Sequence, residues 1–305
     1  MNIEESIAQF ELYAATELRR APGTVEQYSR TLHELCRHLQ EAGIHTVEVL
    51  SSQQLRQWLM AQSESGKAAT TLRRELSAVR HWCHWMRQNS LVEADLTAKL
   101  SAPKLPKRLP VTYKEGEAAH LYDDELWAAD FATTRDRLVL MLLYETGMRR
   151  AELAALTEAD VDLAALYIKV LGKRNKHRLV PIEPELAHRI AAYLDQKHRL
   201  APNCPALIVS PKGQPLAPSA VNYIVTKRMT ALTTANRVSP HVFRHSFASH
   251  LLANGGDLMA ISHLLGHSNL NATQVYTHLD PAHIGEAYRH AHPRAKSLTQ
   301  NNKEE

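Results

Sequence analysis

Residues 239–280 read S-P-H-V-F-R-H-S-F-A-S-H-L-L-A-N-G-G-D-L-M-A-I-S-H-L-L-G-H-S-N-L-N-A-T-Q-V-Y-T-H-L-D. The start of this stretch predicts a helix, because Ser239 is a suitable N-cap and Pro240 fits the first helical position, where no N–H is needed. Apolar side chains recur at helical spacing and indicate a buried stripe: Phe243, Phe247 and Leu251. The helix should end near Gly255, since glycine readily adopts the positive φ of a C-cap.

Polar side chains of this stretch are predicted to gather at helix ends. His241 and Arg244 lie three residues apart, so both project from one face of the first helix. They also lie near its N-terminus, where free N–H groups and the helix dipole favour anions. A second helix is predicted over residues 257–266, which leaves His267 just beyond its end. Tyr276 follows on a third, short helix.

Each of these residues also has an ordinary interpretation, and a metal site is a further alternative. His241 alone is typical of a surface histidine, and Tyr276 of a half-buried aromatic residue. The pairs His241/His245 and His263/His267 have the spacing of two ligands on one helix face. The stretch contains, however, no H-E-x-x-H motif, no companion carboxylate at ligand spacing and no cysteine. We therefore expect no metal at this site.

Length and composition describe a globular chain of two domains. The 305 residues suffice for two cores, and a formal charge of +4 permits a polyanionic partner without requiring one. The three cysteines lie far apart, which is typical of reduced thiols in a cytoplasmic protein. The first ten residues are acidic without an apolar core, and no apolar run approaches about 18 residues. We expect neither a signal peptide nor a membrane span.

Residues 1–95 are predicted to form a four-helix domain. Thr24 and Gln27 have the spacing of a capping box at the start of its second helix. The predicted fourth helix, residues 69–88, carries arginines at helical spacing beside its apolar stripe: Arg73, Arg80 and Arg87. Such a face is usually solvated surface, but exposed arginines at helical period can also follow a phosphate backbone. On this stretch alone we favour solvated surface, and we expect a DNA-binding face only if the C-terminal stretch also acts on DNA.

The sequence changes character at residues 96–114, L-T-A-K-L-S-A-P-K-L-P-K-R-L-P-V-T-Y-K. Three prolines interrupt any helix, and the segment is basic. We therefore predict an extended linker. It leads into an α-rich second domain over residues 115–296, which is followed by a polar tail over residues 297–305.

Two further segments of the second domain carry candidate polar residues. A buried helix is predicted to end at Gly147, and a new helix begins with Arg149 and Glu152 in its first turn. Residues 166–171 and 177–182 alternate apolar and polar side chains and predict a β-hairpin, with Lys173 in its basic turn. Taken alone, Arg149 could be a capping or surface residue, with Arg150 equally available, and the turn could be ordinary surface.

The three motifs together resemble those of the tyrosine recombinases. H-x-x-R-H followed by L-L-G-H-(x)8-Y is similar to the family's C-terminal box, G-M-R-x-x-E-L to its first arginine motif, and G-K-x-x-K-x-R-x-V-P-I to its hairpin. The resemblance implies six catalytic residues, with Tyr276 as the nucleophile and Glu152 as a supporting acid: Arg149, Lys173, His241, Arg244, His267 and Tyr276. Within the family the chain looks like the Xer type, and residues 291–296 are most similar to its XerC branch.

Elementary chemistry assigns these residue types complementary roles in one phosphoryl-transfer reaction. Two arginines can hold the non-bridging oxygens of one phosphate and neutralise the charge that builds up in the transition state. A tyrosine can attack phosphorus to form a covalent ester, an imidazole can take up its proton, and a lysine can protonate the leaving oxygen. No P-loop motif is present, so we expect no nucleotide and no other cofactor.

The resemblance also implies a fold and partners. The expected fold is mainly α, with a four-helix SAM-like core-binding domain and an α-rich catalytic domain with a small sheet, closing on DNA as a C-shaped clamp. The implied partners are duplex DNA with paired half-sites, a tetrameric synaptic complex with a XerD-like second recombinase, and an FtsK-like translocase. The implied role is the resolution of chromosome dimers at a dif-like site.

Two other functions remain open from the sequence. A phage or transposon integrase would use the same chemistry on another site, and an additional N-terminal arm-binding domain would indicate it, whereas this chain starts with core-binding helices. A non-catalytic DNA-binding protein would lack a catalytic residue, and none is missing.

The last predicted helix, up to about Ala291, has an apolar face that includes Tyr288. In the family this helix docks onto the adjacent subunit, and we expect the same here. The alternative is that it folds back on its own domain.

Overall fold

A computed structural model of the chain describes residues 1–103, 111–172, 176–266, 285, 288 and 291–293. The chain divides into two compact units, residues 1–108 and 109–305. Each has its own hydrophobic core. Helices dominate both units, and the described strands form one small sheet, as the sequence predicts. None of the helices in the described ranges is long and apolar enough to cross a membrane.

The first unit consists of four helices: α1 (Ile3–Thr16), α2 (Pro22–Glu41), α3 (Ser52–Glu64) and α4 (Ala69–Gln88). Their apolar stripes meet in a core that contains the fully buried Phe10, Trp58 and Trp82. The predicted range of α4 is confirmed. The predicted capping box of α2 is wrong, because α2 already begins at Pro22, whose fixed φ suits the first helical turn.

The described ends of the predicted linker are packed rather than free. Leu96 and Leu100 are buried in the core of the first unit, and Tyr113 is buried in that of the second. Residues 104–110 lie outside the described residues. The linker boundaries at 96 and 114, like the other domain boundaries, stay a prediction.

The helices of the second unit are α5 (Glu115–Ala119), α6 (Phe131–Thr146), α7 (Arg150–Ala154), α8 (Pro184–Leu200), α9 (Pro218–Leu232), α10 (Pro240–Ala253) and α11 (Leu258–Leu265). Helix α6 is central, and its residues from 135 to 146 are all buried. Asp130 caps its start by accepting a hydrogen bond from the Thr133 amide (3.0 Å). At its end Gly147 adopts φ 57°, as predicted, so the chain turns sharply into α7.

The sheet is antiparallel with the order β1 (Val161–Asp162), β2 (Tyr167–Leu171) and β3 (His177–Pro181). The predicted hairpin is β2 and β3, and their register pairs Val170 with Arg178. The turn closes with a hydrogen bond from the Gly172 amide to the Lys176 carbonyl (2.8 Å). Strand β1 is not predicted from the sequence, because two residues are too few to show alternation.

Described residues near the C-terminus pack onto their own unit. Tyr288 and Ala291 are buried in its core, and the Tyr288 hydroxyl donates to the Glu145 carbonyl (3.2 Å). Gly256 permits this packing, since a Cβ there would lie 2.9 Å from the Ala291 Cβ. The expectation that this apolar face is free to dock onto a neighbouring subunit is therefore wrong for Tyr288 and Ala291, which their own domain covers.

Candidate active site

Arg149 is positioned by the turn between α6 and α7. It is the N-cap of α7, and its amide donates to Oε2 of Glu152 (2.8 Å) while its Nη1 donates to Oε1 (2.7 Å). Burial alone raises the pKa of the Glu152 carboxyl, but hydrogen bonds from Arg178 and from the Arg149 amide outweigh it, so the pKa lies below its usual range. Glu152 is therefore a buried carboxylate that fixes the orientation of Arg149, whereas Arg150 is exposed.

Arg244 lies in the first turns of α10 and contacts the ends of α6 and α11. Its guanidinium is largely buried and donates to the carbonyls of Gly147 (2.8 Å) and Leu265 (2.5 Å). Burial and the neighbouring Arg149 lower the pKa of Arg244 to about 10. Two guanidiniums thus lie close together at the junction of α6, α10 and α11. Such an arrangement is stabilised by an anion, and a phosphate matches its fork geometry.

His241 lies on the exposed side of the start of α10. Partial burial of the ring and the nearby basic side chains, Arg150 first and then His245 and Arg244, hold the pKa of His241 below its ordinary value of 6.5. The imidazole is therefore neutral at physiological pH and has a lone pair available to accept a proton.

A pH profile should show this effect if His241 accepts the proton. DNA cleavage is expected to fall as the pH decreases through a value below 6.5, because His241 becomes protonated there. Arg150→Gln removes a positive charge near His241, and this loss stabilises the protonated imidazole. The pKa of His241 should therefore rise, and the fall of the cleavage rate at acidic pH should move to higher pH. NMR titration of His241 and rates of cleavage check this. Lys227→Gln is the control, and an equal shift in that variant would contradict the assignment.

Helix α11 begins and ends where the sequence predicts. Asp257 caps its start by accepting from the Ala260 amide (2.8 Å), and Gly266 closes it with φ 63°. Three of the predicted site residues lie outside the described residues: Lys173, His267 and Tyr276. The described chain leads directly into two of them, through Gly172 before Lys173 and Gly266 before His267. Their roles stay predictions.

Arg178 on β3 is a residue of the site that the hairpin motif contains but to which the sequence assigns no role. Its Nη2 donates to Oε2 of Glu152 (2.7 Å), and its Nε donates to the Leu264 carbonyl (2.7 Å). Strand alternation contained the signal, because Arg178 shares the buried side of β3 with Val180. A charged residue at an inward position is buried only when it is paired.

Metal ligands are not gathered in the described ranges of the chain. Within them, no group of three or more histidine, cysteine, aspartate or glutamate side chains has the geometry of a metal site. His267, a member of the second predicted histidine pair, lies outside these ranges. What the described part of the site offers a ligand is the pair of guanidiniums.

The turn from α6 into α7 leaves no room for a side chain at Gly147. A Cβ there would lie 2.6 Å from Cδ1 of Phe247 and 2.9 Å from Cδ2 of Leu265, at φ 57°. We expect Gly147→Ala to destabilise the protein by about 3 kcal/mol, from left-handed strain plus overpacking. Gly255→Ala is the matched control, since φ is 84° and no atom lies within 4 Å of its Cβ; it should cost about 1 kcal/mol. Urea unfolding compares them, and equal losses would show that packing at Gly147 is unimportant.

The predicted basic face of α4 is present. Arg73, Arg80 and Arg87 are all exposed. Two of them also hold the segment that follows the first unit's helices: Arg80 donates to the Leu100 carbonyl (2.6 Å) and Arg73 to the Pro103 carbonyl (3.5 Å). Contact of these arginines with DNA stays a prediction.

Known protein families match both units of the chain. Residues 121–283 match the phage integrase family, and residues 7–89 match the N-terminal SAM-like domain of phage integrases. Tyrosine recombinase XerC of Pseudomonas syringae pv. syringae (strain B728a) is 34% identical over 294 residues, which cover 96% of this chain and 98% of that protein. XerC of Corynebacterium glutamicum is 34% identical, and the match covers 90% of this chain and 88% of that protein.

Solved structures share the fold. The XerH recombinase bound to a difH substrate before cleavage has a TM-score of 0.68 at 21% identity and covers 93% of this chain and 94% of its own. A λ integrase fragment, a dimer bound to a COC′ core site, also has a TM-score of 0.68, at 17% identity, over 88% of this chain and 96% of its own. With the family match over both units, these findings show that the chain belongs to the phage integrase family and is a tyrosine recombinase, an enzyme that cuts and rejoins DNA strands.

Proposed function

We propose that the protein is a site-specific recombinase that cuts DNA through a 3′-phosphotyrosyl intermediate formed by Tyr276. The observation that supports this most strongly is the arrangement of Arg149 and Arg244. Arg149 is fixed by Glu152, and Arg244 is fixed by the Gly147 carbonyl two residues before Arg149. Both guanidiniums are therefore anchored at the turn between α6 and α7, Arg149 from within it and Arg244 from α10, as a clamp on a single phosphate requires.

The proposed reaction needs no external energy source. Arg149 and Arg244 hold the non-bridging oxygens while the Tyr276 hydroxyl attacks phosphorus, so a phosphorus–phenol oxygen bond forms and the bond to the 5′ oxygen breaks. The phenol proton passes to an imidazole, His241 or His267, and Lys173 protonates the leaving 5′ oxygen. Attack by the 5′ hydroxyl of another strand on the same ester reverses these steps and reseals the DNA.

We further propose a role in chromosome segregation. The XerC relative from Pseudomonas syringae aligns over 98% of its length. This supports the proposal that the protein acts at a dif-like site in the cytoplasm and there resolves chromosome dimers. On this proposal the partners are a XerD-like second recombinase in a tetramer on two duplexes, and an FtsK-like translocase. Structures of similar fold include a λ integrase tetramer on a Holliday junction, which supports a tetrameric assembly. The exposed arginines of α4 would contact the phosphate backbone.

A suicide substrate tests the proposal. It is a duplex with a dif-like site, nicked so that the 5′ end is lost after cleavage and the intermediate cannot be resealed. We expect a covalent protein–DNA adduct, in excess EDTA as well as without it, because the two arginines already supply positive charge at phosphorus. Loss of the adduct in EDTA with recovery in zinc or magnesium would restore the metal alternative. No adduct under any condition would indicate a DNA-binding protein without this activity. An adduct on phage or transposon attachment sites only would indicate an integrase.

The leaving-group role of Lys173 can be tested separately. Lys173→Ala should slow cleavage of normal DNA by about 10²-fold or more, because the 5′ oxygen then departs without a proton. A substrate with sulfur at the 5′ bridging position needs no proton to depart and should recover most of the lost rate. The ratio of the two rates in wild type and variant measures the effect. Equal impairment on both substrates would assign Lys173 to phosphate binding instead.

A further inference from the structure

We propose that Arg178 is a positioning residue that braces the three segments carrying the active site. The inference rests on the proposed function, since it concerns how Arg149, Lys173 and His267 are placed for cleavage. Arg178 is buried on the inner side of β3. Its three guanidinium nitrogens point to different parts of the site.

The first contact orients Arg149 through Glu152. Oε2 of Glu152 accepts from both the Arg149 amide (2.8 Å) and Nη2 of Arg178 (2.7 Å), and Oε1 accepts from Nη1 of Arg149 (2.7 Å). Glu152 has a side-chain exposure of 7%, so it could not remain ionised there without its cationic partners. Arg178 thus holds the carboxylate that holds Arg149, and it does so from another element of the chain.

The second contact fixes the end of α11. The last carbonyls of a helix have no partners within it and carry its negative dipole end. Here the carbonyl of Leu264 accepts from Nε of Arg178 (2.7 Å), and that of Leu265 accepts from Arg244 (2.5 Å). Arg178 therefore caps α11 beside a predicted phosphate ligand.

The third contact concerns the glycines that precede Lys173 and His267. A Cβ on Gly172 would lie 3.6 Å from Nη1 of Arg178, and one on Gly266 would lie 3.4 Å from the same atom. Nη1 is buried and has no hydrogen-bond partner in the described part of the chain. Gly172 and Gly266, which precede Lys173 and His267 in the chain, thus both lie beside one guanidinium.

The geometry of a guanidinium is needed for all three contacts. A lysine ammonium is a single point of charge and cannot reach Glu152, Leu264 and both glycines at once. We therefore expect Arg178→Lys to slow covalent adduct formation by about 10- to 100-fold, the scale of loss when a partner that orients a functional side chain is removed, with half-site affinity within about twofold of wild type. Arg178→Met keeps the apolar length of the side chain and should have at least the same effect.

The experiment uses the full chain and two readouts. Adduct formation on the suicide substrate gives the rate, and amide hydrogen exchange gives the protection of the Arg149 N–H, which should be lost in both variants. The control is Arg135→Lys, which alters another buried arginine of the same unit, one that donates Nε and Nη2 to Asp136 (3.0 and 2.5 Å). Arg135→Lys should lower the melting temperature about as much as Arg178→Lys does. It should not change the adduct rate or the hydrogen exchange of the Arg149 N–H.

Two results would overturn the inference: a wild-type adduct rate in Arg178→Lys and Arg178→Met, or equal slowing in Arg135→Lys, which would assign the loss to stability alone. If wild-type protein forms no adduct, the proposed function fails. The exchange measurement then still decides whether Arg178 holds Arg149, because it does not depend on cleavage.

Discussion

Tyr276→Phe is expected to lower covalent adduct formation by at least about 10⁴-fold, the scale of loss when a nucleophile is removed from a catalytic set that acts as a unit. Only a hydroxyl is lost, so the affinity for a half-site should stay within about twofold of wild type. Denaturing gels of the suicide-substrate reaction measure the adduct, and gel-shift titration measures binding.

The control for this variant is Tyr223→Phe. Tyr223 is an exposed tyrosine on α9 of the same unit, so its hydroxyl should be dispensable. A normal amount of adduct in Tyr276→Phe would show that another residue attacks phosphorus, and the assignment of the nucleophile would then be wrong.

Arg244→Lys is expected to have the second largest effect. The substitution keeps one positive charge but removes the fork that contacts Gly147 and Leu265 and that would hold the phosphate. Removing one preorganised charge donor of this kind typically costs about 10²- to 10³-fold in rate. Because Arg244 also joins α10 to the turn before Arg149, we expect the loss to lie at the upper end of that range.

The matched control is Arg228→Lys, which removes a guanidinium fork that contacts Asp136 and Thr133 elsewhere in the unit. Its adduct rate should remain near that of wild type. Single-turnover cleavage at saturating protein separates the chemical step from DNA binding. A near-normal rate in Arg244→Lys would mean that charge alone, without the fork geometry, is sufficient at this position.

Periodicity predicted most of the fold. The apolar stripe of α4 was long and uninterrupted, so its range was predicted correctly, and the glycines at 147 and 266 marked helix ends because only a positive φ fits there. The capping-box pattern of Thr24 and Gln27 predicts a start of α2 that is too late, because Pro22 already fits the first helical turn. The strand β1 was too short to give any signal.

The site was predictable as a set of residues but not as a geometry. Local sequence could not separate Arg149 from Arg150, and the family pattern was needed. The structure supplies the physical difference, since Glu152 contacts only the former in the described hydrogen bonds. The bonds from Arg244 to Gly147 and Leu265 join residues far apart in the chain, so no sequence pattern could reveal them. The role of Arg178 emerged only from its contacts.

The central claim is covalent catalysis by Tyr276, and chemical identification of the adduct tests it most directly. The wild-type protein would be reacted with the suicide substrate in EDTA and digested with protease, and the DNA-linked peptide would be sequenced by mass spectrometry. We predict that the 3′ phosphate of the cut strand is esterified to Tyr276. Attachment to any other side chain, or cleavage that leaves no DNA-linked peptide, would contradict it.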